Sequence, residues 1–234
     1  RQQSVEVLIR EIKEHLATYN SPWVDFRQPV MSANETWTIE FFKRYKQEIG
    51  IPFRCFSHPL LITEKNVRAM KDAGCFAIQI GIECWDEQVR NTVINRQESN
   101  DDIRRATEIL ENVGQYYAFD YILGLPRLPK DGPDGGKIPL SKEETLASVR
   151  KELMEFANFL APLKFCYRIA PFMIAYMPGT KLIEHGLNAG DLTEDEVKRM
   201  ERGLHDNYMS AGSIIIDKER LKLLNGYRVM LRFM

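Results

Sequence analysis

Apolar positions along this chain recur with two periods, and the period switches repeatedly. Val5, Leu8, Ile9, Ile12 and Leu16 stand three or four apart, the spacing of one helix face, so the chain opens on an amphipathic helix. Trp23 to Phe26 reads as a short strand. Ser32 and Glu35 have capping-box spacing ahead of Trp37, Phe41, Tyr45 and Ile49, which share a second helix face. Pro52 to Phe56 is a strand candidate, and a helix from about Thr63 to Ala73 ends at Gly74. Phe76 to Glu83 is the clearest strand. Two helical pieces follow, the second carrying Ile103, Ala106, Leu110 and Val113 and closing at Gly114. Tyr117 to Leu123 is another strand, residues 124–140 form a Gly/Pro-rich loop, and Ser141 with Glu144 caps a helix to about Leu160. Phe165 to Phe172 is the last strand. Pro178-Gly179-Thr180 and helical segments complete the chain, with capping-box spacing again at Thr193 and Glu196.

Helix and strand therefore alternate, which predicts βα units joined by right-handed crossovers in a parallel sheet. A doubly wound sheet and a β/α barrel both satisfy that pattern. Neither a GxGxxG nor a GxxxxGK[ST] loop occurs, which tilts the choice toward a barrel. The expected architecture is α/β: a partial (β/α) TIM-type barrel over residues 1–190, then a helical C-terminal segment over 191–234.

In such folds ligands bind at the C-terminal ends of the strands. Along the third strand, Ile78, Ile80 and Ile82 share one face and Gln79, Gly81 and Glu83 the other. Covering helices pack on the isoleucines, which leaves Glu83 at the mouth on the interior side. By the same parity Asp120 and Ile122 point inward from the next strand, beside Ala118 and Gly124. A buried carboxylate needs a partner, either a ligand or a neighbouring cation, and Arg96 and Arg168 are the candidate cations. Arg168, in phase with Cys166 and Ala170, is expected to enter the interior. Asp25 and Arg27 face one side and either bind substrate or pair with each other. Arg54 joins Asp25, Arg27 and Arg168 as candidate substrate contacts.

Composition narrows the function. The 234 residues are 44% apolar and 28% charged with a formal net charge of −1, so no field draws in a nucleic acid or an anionic membrane. No run of about 18 apolar residues occurs. Cys55, Cys75, Cys84 and Cys166 are scattered without CxxC-type spacing and read as reduced, mostly buried thiols of a cytoplasmic protein. His15, His58, His185 and His205 show no ligand spacing. The chain opens on Arg1 and stops within an apolar-periodic stretch, so it is read as a fragment.

One ordered set of short motifs carries a resemblance. Ala73-Gly74-Cys75, Ile80-Gly81-Ile82-Glu83, Asn95-Arg96, Asp120-Tyr121-Ile122-Leu123-Gly124-Leu125-Pro126 and Pro178-Gly179-Thr180 occur in the order and spacing of radical S-adenosylmethionine domains. The chain resembles that superfamily over roughly residues 1 to 190. Asn34-Glu35-Thr36-Trp37 and Ser57-His58-Pro59 make it similar to members with an upstream cobalamin-binding domain. The resemblance implies S-adenosylmethionine contacts at Gly81, Glu83, Arg96, Asp120, Ile122 and Ala170. Glu83 would meet the ribose or methionyl part, Arg96 the methionyl carboxylate, Asp120 the ribose hydroxyls, and Ile122 the adenine, with its edge at the backbone near Ala170.

It further implies a 4Fe–4S cluster on a CxxxCxxC loop after the first strand, an electron donor such as flavodoxin or ferredoxin, and a 5′-deoxyadenosyl radical that abstracts hydrogen. That cysteine motif is absent here, so the first strand and the cluster ligands are expected upstream and no residue of this chain is assigned to a metal. After Gly-Leu-Pro the family often continues Gly-Glu-Thr, where this chain has Arg127-Leu128-Pro129-Lys130. Cobalamin-dependent methyl transfer is the leading expected reaction. The alternatives are a cluster-free barrel serving as a binding scaffold, and an unrelated β/α-barrel lyase using Glu83 and Asp120 as acid and base. Alone, the chain is expected to be catalytically inactive, with exposed sheet edges.

Overall fold

The computed structural model describes residues 3–27, 33–203 and 218–231. Helix α1 (Val5–Thr18) starts where the Ser4 hydroxyl accepts from the Val7 amide, and strand β1 (Val24–Phe26) follows it. Helix α2 (Glu35–Glu48) leads to β2 (Phe53–Ser57), and α3 (Glu64–Asp72), capped by Thr63, leads to β3 (Cys75–Glu83). Helices α4 (Glu87–Val93) and α5 (Asn100–Val113) precede β4 (Tyr117–Leu123). Strands β5 (Lys130–Asp131) and β6 (Lys137–Ile138) come next, then α6 (Lys142–Leu160) and β7 (Cys166–Met173). Three helices complete the described chain: α7 (Lys181–Asn188), α8 (Glu194–Glu201) and α9 (Lys218–Met230).

The main sheet is parallel with the order β1-β2-β3-β4-β7. Each of its strands lies beside the one before it. A doubly wound sheet reverses its order at a switch point, and this one does not. The choice left open by the sequence therefore resolves to the wall of a β/α barrel.

Two sequence expectations need correction. Helix α2 begins one residue after Asn34, whose side chain accepts from the Trp37 amide at 3.1 Å, so Asn34 is the cap. Ser32 lies outside the described residues. Glu35 then occupies the first helical position, too early to reach back as a capping box requires, and its carboxylate accepts from the Thr63 hydroxyl instead (2.8 Å). The loop 124–140 also contains structure, because β5 and β6 pair antiparallel across the turn around Gly132 to Gly136. Both reciprocal boxes further on, Ser141 with Glu144 and Thr193 with Glu196, form as the spacing predicts.

By contact density the chain divides into two interleaved units. The first comprises residues 1–82, 100–119 and 163–168, and the second residues 83–99, 120–162 and 169–234. The first is built on aromatic side chains. Phe41, Phe42 and Tyr45 of α2 are fully buried and press on Phe26 and Phe53, with Phe42 stacked on Phe53 at 4.9 Å and Tyr45 edge-on to it at 5.0 Å. Trp37 stacks on Phe41 and donates through Nε1 to the Gln3 carbonyl, which ties down the start of α1. Gly114 ends α5 at φ +69°; a Cβ there would meet the Phe165 ring and the Lys71 ammonium at 3.3 Å.

In the second unit, Trp85 stacks on Phe159 (4.3 Å) and Tyr121 on Phe156 (4.4 Å), so the end of β3 and the middle of β4 are gripped by α6. Arg220 of α9 is buried against Asp191 and donates to the Leu125 carbonyl at 2.8 Å. The C-terminal segment thereby meets the Gly-Leu-Pro turn after β4. No helix among the described residues is long and apolar enough to cross a membrane.

Phe42 tests the first core. Phe42→Ala should cost about 3–5 kcal/mol of unfolding free energy, and Phe42→Leu less than half of that. Equal losses for the two in denaturant titrations would mean that the ring stack, and not the volume a leucine keeps, carries the contribution.

Candidate functional site

The site is prepared by the alternation of β3. Ile78, Ile80 and Ile82 are buried while Gln79, Gly81 and Glu83 are half-buried, which is the parity read from the sequence. In β4 only Asp120 and Ile122 are half-buried; the other five residues are buried. The Ile78 amide donates to the Tyr116 carbonyl at 3.0 Å, and a regular parallel ladder continued from that bond sets Glu83 level with Ile122. Glu83 closes β3 at φ +60° and Asn95 has φ +53°. Both are non-glycine residues in the left-handed region, a conformation that costs roughly 1–3 kcal/mol unless its surroundings fix it.

The surroundings do fix it. Arg90, fully buried on α4, donates through Nη1 to the Cys84 carbonyl (2.6 Å), and through Nη2 and Nε to the Glu98 carbonyl (2.9 and 3.2 Å). The Arg96 amide donates back to the Arg90 carbonyl at 3.2 Å. The fully buried Glu98 carboxylate accepts from Arg96 Nε at 2.6 Å, and Arg96 Nη1 stands 3.6 Å from Glu83 Oε1. Glu83, Cys84, Arg90, Glu98 and Arg96 thus close a ring. Burial pulls the Arg90 guanidinium below its ordinary value, against the charges of Glu98 and Glu87.

A second buried cluster holds the same segment from α6. Glu152 accepts from the Trp85 amide (3.1 Å), from Cys84 Sγ (3.2 Å), from the Tyr121 hydroxyl and from Arg127 Nη2. Arg127 also lies 3.5 Å from Asp86, the residue that caps α4. Burial alone would raise the Glu152 carboxyl, but the Arg127 charge and the bonds from Tyr121, Arg127 and Cys84 outweigh it and hold the group low. Burial and the neighbouring Glu152 push the Cys84 thiol up. Arg127, which departs from the expected Gly-Glu-Thr, is therefore the counter-ion of Glu152.

The remaining predicted residues fall as follows. Glu83, Arg96, Asp120, Ile122 and Ala170 all belong to the second unit, with Glu83 and Arg96 paired, Asp120 half-buried and Ala170 buried. Gly81, in phase with Glu83, leaves its position on β3 without a side chain. Asp25, Arg27 and Arg54 belong to the first unit and satisfy one another: Asp25 accepts from Arg54 at 2.6 and 3.0 Å and from Arg27 at 2.9 Å. The bond from Arg54, ahead of that from Arg27, holds the Asp25 carboxyl below its usual value.

Arg54 pairs in register with Ala77, six residues before Glu83 on the neighbouring strand, and so stands well short of the strand ends. It lies over Trp23 and also meets the Tyr167 hydroxyl. Tyr167, not Arg168, therefore turns to the face of Arg54. Arg168 is exposed and in phase with Cys166, whose thiol burial pushes up to about 12, so the expectation that it enters the interior is corrected. The sequence reading also passed over Arg90, Glu98 and Glu152. Its available signal was a charged residue on an apolar stripe: Arg90 shares a helix face with Val93, and Glu152 with Val149 and Phe156.

Glu152 generates a pH prediction. A carboxylate held below its unfolded value, about 4.3, contributes fully above that pH and loses its contribution as pH falls through the folded value. Glu152→Gln should cost about 3–5 kcal/mol at pH 7, because Arg127 loses its buried counter-charge. That gap should narrow as pH falls below about 4.3 and close once the native carboxylate, held lower, is itself protonated. A gap that does not narrow between pH 7 and pH 3 in urea midpoints would mean that the folded carboxyl is not held below its unfolded value.

Known proteins are similar to this chain in sequence over part of its length and in fold. Residues 33–133 match the family model of the Radical SAM superfamily. An uncharacterized methyltransferase of Pyrococcus horikoshii is 24% identical over 191 residues, which cover 80% of this chain and 36% of that protein. The chain thus spans about a third of that relative's length. Coproporphyrinogen III oxidase from Escherichia coli, a radical SAM enzyme, superposes with a TM-score of 0.58 at 13% identity, over 97% of this chain and 44% of its own. The radical S-adenosylmethionine methyltransferase TsrM from Kitasatospora setae gives 0.56 at 12% identity, over 77% and 33%. OxsB, a cobalamin-dependent S-adenosylmethionine radical enzyme, gives 0.56 at 14%, over 97% and 36%. Over residues 33–133, a little under half of the chain, it is similar in sequence to the Radical SAM superfamily, and its fold is similar to those of solved radical SAM enzymes.

Proposed function

We propose that the cluster at the ends of β3 and β4 binds S-adenosylmethionine, and that the chain is the nucleotide-gripping part of a radical SAM enzyme. The observation that carries the proposal is the juxtaposition of Glu83 and Arg96 at 3.6 Å, on a strand end level with Ile122 and two residues on from Asp120. S-adenosylmethionine presents a carboxylate, an ammonium, ribose hydroxyls and a flat base. Arg96 suits the carboxylate, Asp120 and Glu83 suit the hydroxyls and the ammonium, and Ile122 with the backbone near Ala170 suits the base. Asp25, Arg27 and Arg54 pair with one another, with one positive charge left over, and are left out of this site.

The thiols do not fit a 4Fe–4S cluster. Cys55 and Cys75 lie 3.9 Å apart and buried, Cys84 donates to Glu152, and Cys166 lies beside the Arg168 carbonyl. No group of three metal-ligating side chains occurs among the described residues. Cluster ligands would have to come from outside this chain. Methyl transfer is the reaction we favour, supported by the Pyrococcus relative and by TsrM.

The test uses the full-length protein, reconstituted with iron and sulfide under anaerobic conditions. It should bind S-adenosylmethionine, and Asp120→Ala should weaken binding roughly tenfold or more, the loss of charge-assisted hydrogen bonds. A native protein without measurable affinity would sink the proposal, and an Asp120→Ala variant of native affinity would remove Asp120 from the site. With methyl-labelled S-adenosylmethionine, label should leave the cofactor for the product; label recovered only in methionine, with 5′-deoxyadenosine, would exclude methyl transfer.

A further inference from the structure

Arg96 can serve a ligand only if its guanidinium is held, and its own helix and strand do not hold it, since it lies on the connection between α4 and α5. What holds it is a pair of fully buried charged residues that no ligand contact explains. Arg90 bonds the carbonyls of Cys84 and Glu98, joining the end of β3 to the stretch that carries Arg96. The Glu98 carboxylate takes Arg96 Nε at 2.6 Å, which turns that edge inward and brings Nη1 toward Glu83. The left-handed turns at Glu83 and Asn95 stand at the two points where this bracket redirects the chain.

We infer that Arg90 and Glu98 are positioning residues that set the Arg96 guanidinium for the carboxylate end of the bound nucleotide. This rests on the reading of the site as one for S-adenosylmethionine. Its effect is expected at the methionyl end of the ligand, because the residue it holds is Arg96.

The planar guanidinium spans the Cys84 and Glu98 carbonyls through separate nitrogens in a fixed fork that the compact ammonium of lysine does not reproduce, so Arg90→Lys should loosen the bracket while keeping the charge. In the reconstituted full-length protein, Arg90→Lys should raise the S-adenosylmethionine dissociation constant tenfold or more. The affinity for 5′-deoxyadenosine, which lacks the methionyl end, should stay within twofold. Glu98→Gln, which preserves volume, should show the same split at about fivefold and serves if Arg90→Lys does not fold. In an Arg96→Ala background either change should add nothing further. Equal weakening of both ligands, or native affinity for both, overturns the inference, because a merely structural role would affect the two alike. A native protein that binds 5′-deoxyadenosine but not S-adenosylmethionine would instead overturn the reading of the site, and this role with it.

Discussion

The peptide group between Cys84 and Trp85 is held at both of its polar ends by charged side chains. Its carbonyl accepts from the Arg90 guanidinium at 2.6 Å, and its amide donates to the Glu152 carboxylate at 3.1 Å. Charge-assisted bonds of this kind are roughly twice as strong as neutral ones, and here both are buried. The peptide's orientation is thereby fixed one residue beyond Glu83, and with it the path by which the chain leaves β3. The strand end, the start of α4 and the two arms of the candidate site all take their geometry from that one plane.

Such an arrangement is costly to build. Removing a guanidinium and a carboxylate from water carries a penalty of several kcal/mol per ion, which short charge-assisted bonds offset. The second unit does this three times: at Arg90, at Arg127 with Glu152, and at Arg220 with Asp191. All three lie against segments that leave the C-terminal ends of β3 and β4. Burial leaves the Asp191 carboxyl raised despite Arg220, whereas Glu152, with more donors, is held low. By contrast, the first unit rests on stacked aromatic rings and pairs its charges at half-exposed positions such as Asp25 and Arg54.

The fold was legible because each of its signals is periodic. The parity of Ile78 to Glu83 survives in the burial of every residue from 78 to 83, and the boxes at Ser141 and Thr193 close as spaced. Those features depend on neighbours three or four residues apart at most. Glu83, Arg96 and Asp120 were legible for a related reason, since strand parity and a family motif point to them. What could not be read depends on distant contacts. Glu152 meets Cys84 across 68 residues of chain, and Arg220 meets Leu125 across 95. The cap at Asn34 was missed because Ser32 offered the same spacing to Glu35, and only the Thr63 hydroxyl, 28 residues on, decides where that carboxylate goes.

The left-handed residues show why the network must be rigid. An unstrained Glu83 would continue the extended strand, and its neighbour Cys84 could not offer its carbonyl to α4. At φ +60° the chain leaves the sheet at once, Trp85 enters the aromatic stack under α6, and the carboxylate stays half-buried beside Arg96. Strain of roughly 1–3 kcal/mol at this residue is thus balanced by burial of the Trp85 ring and by two charge-assisted bonds. The aromatic stack anchors the turn and the buried charges aim it, and neither can shift without releasing the other.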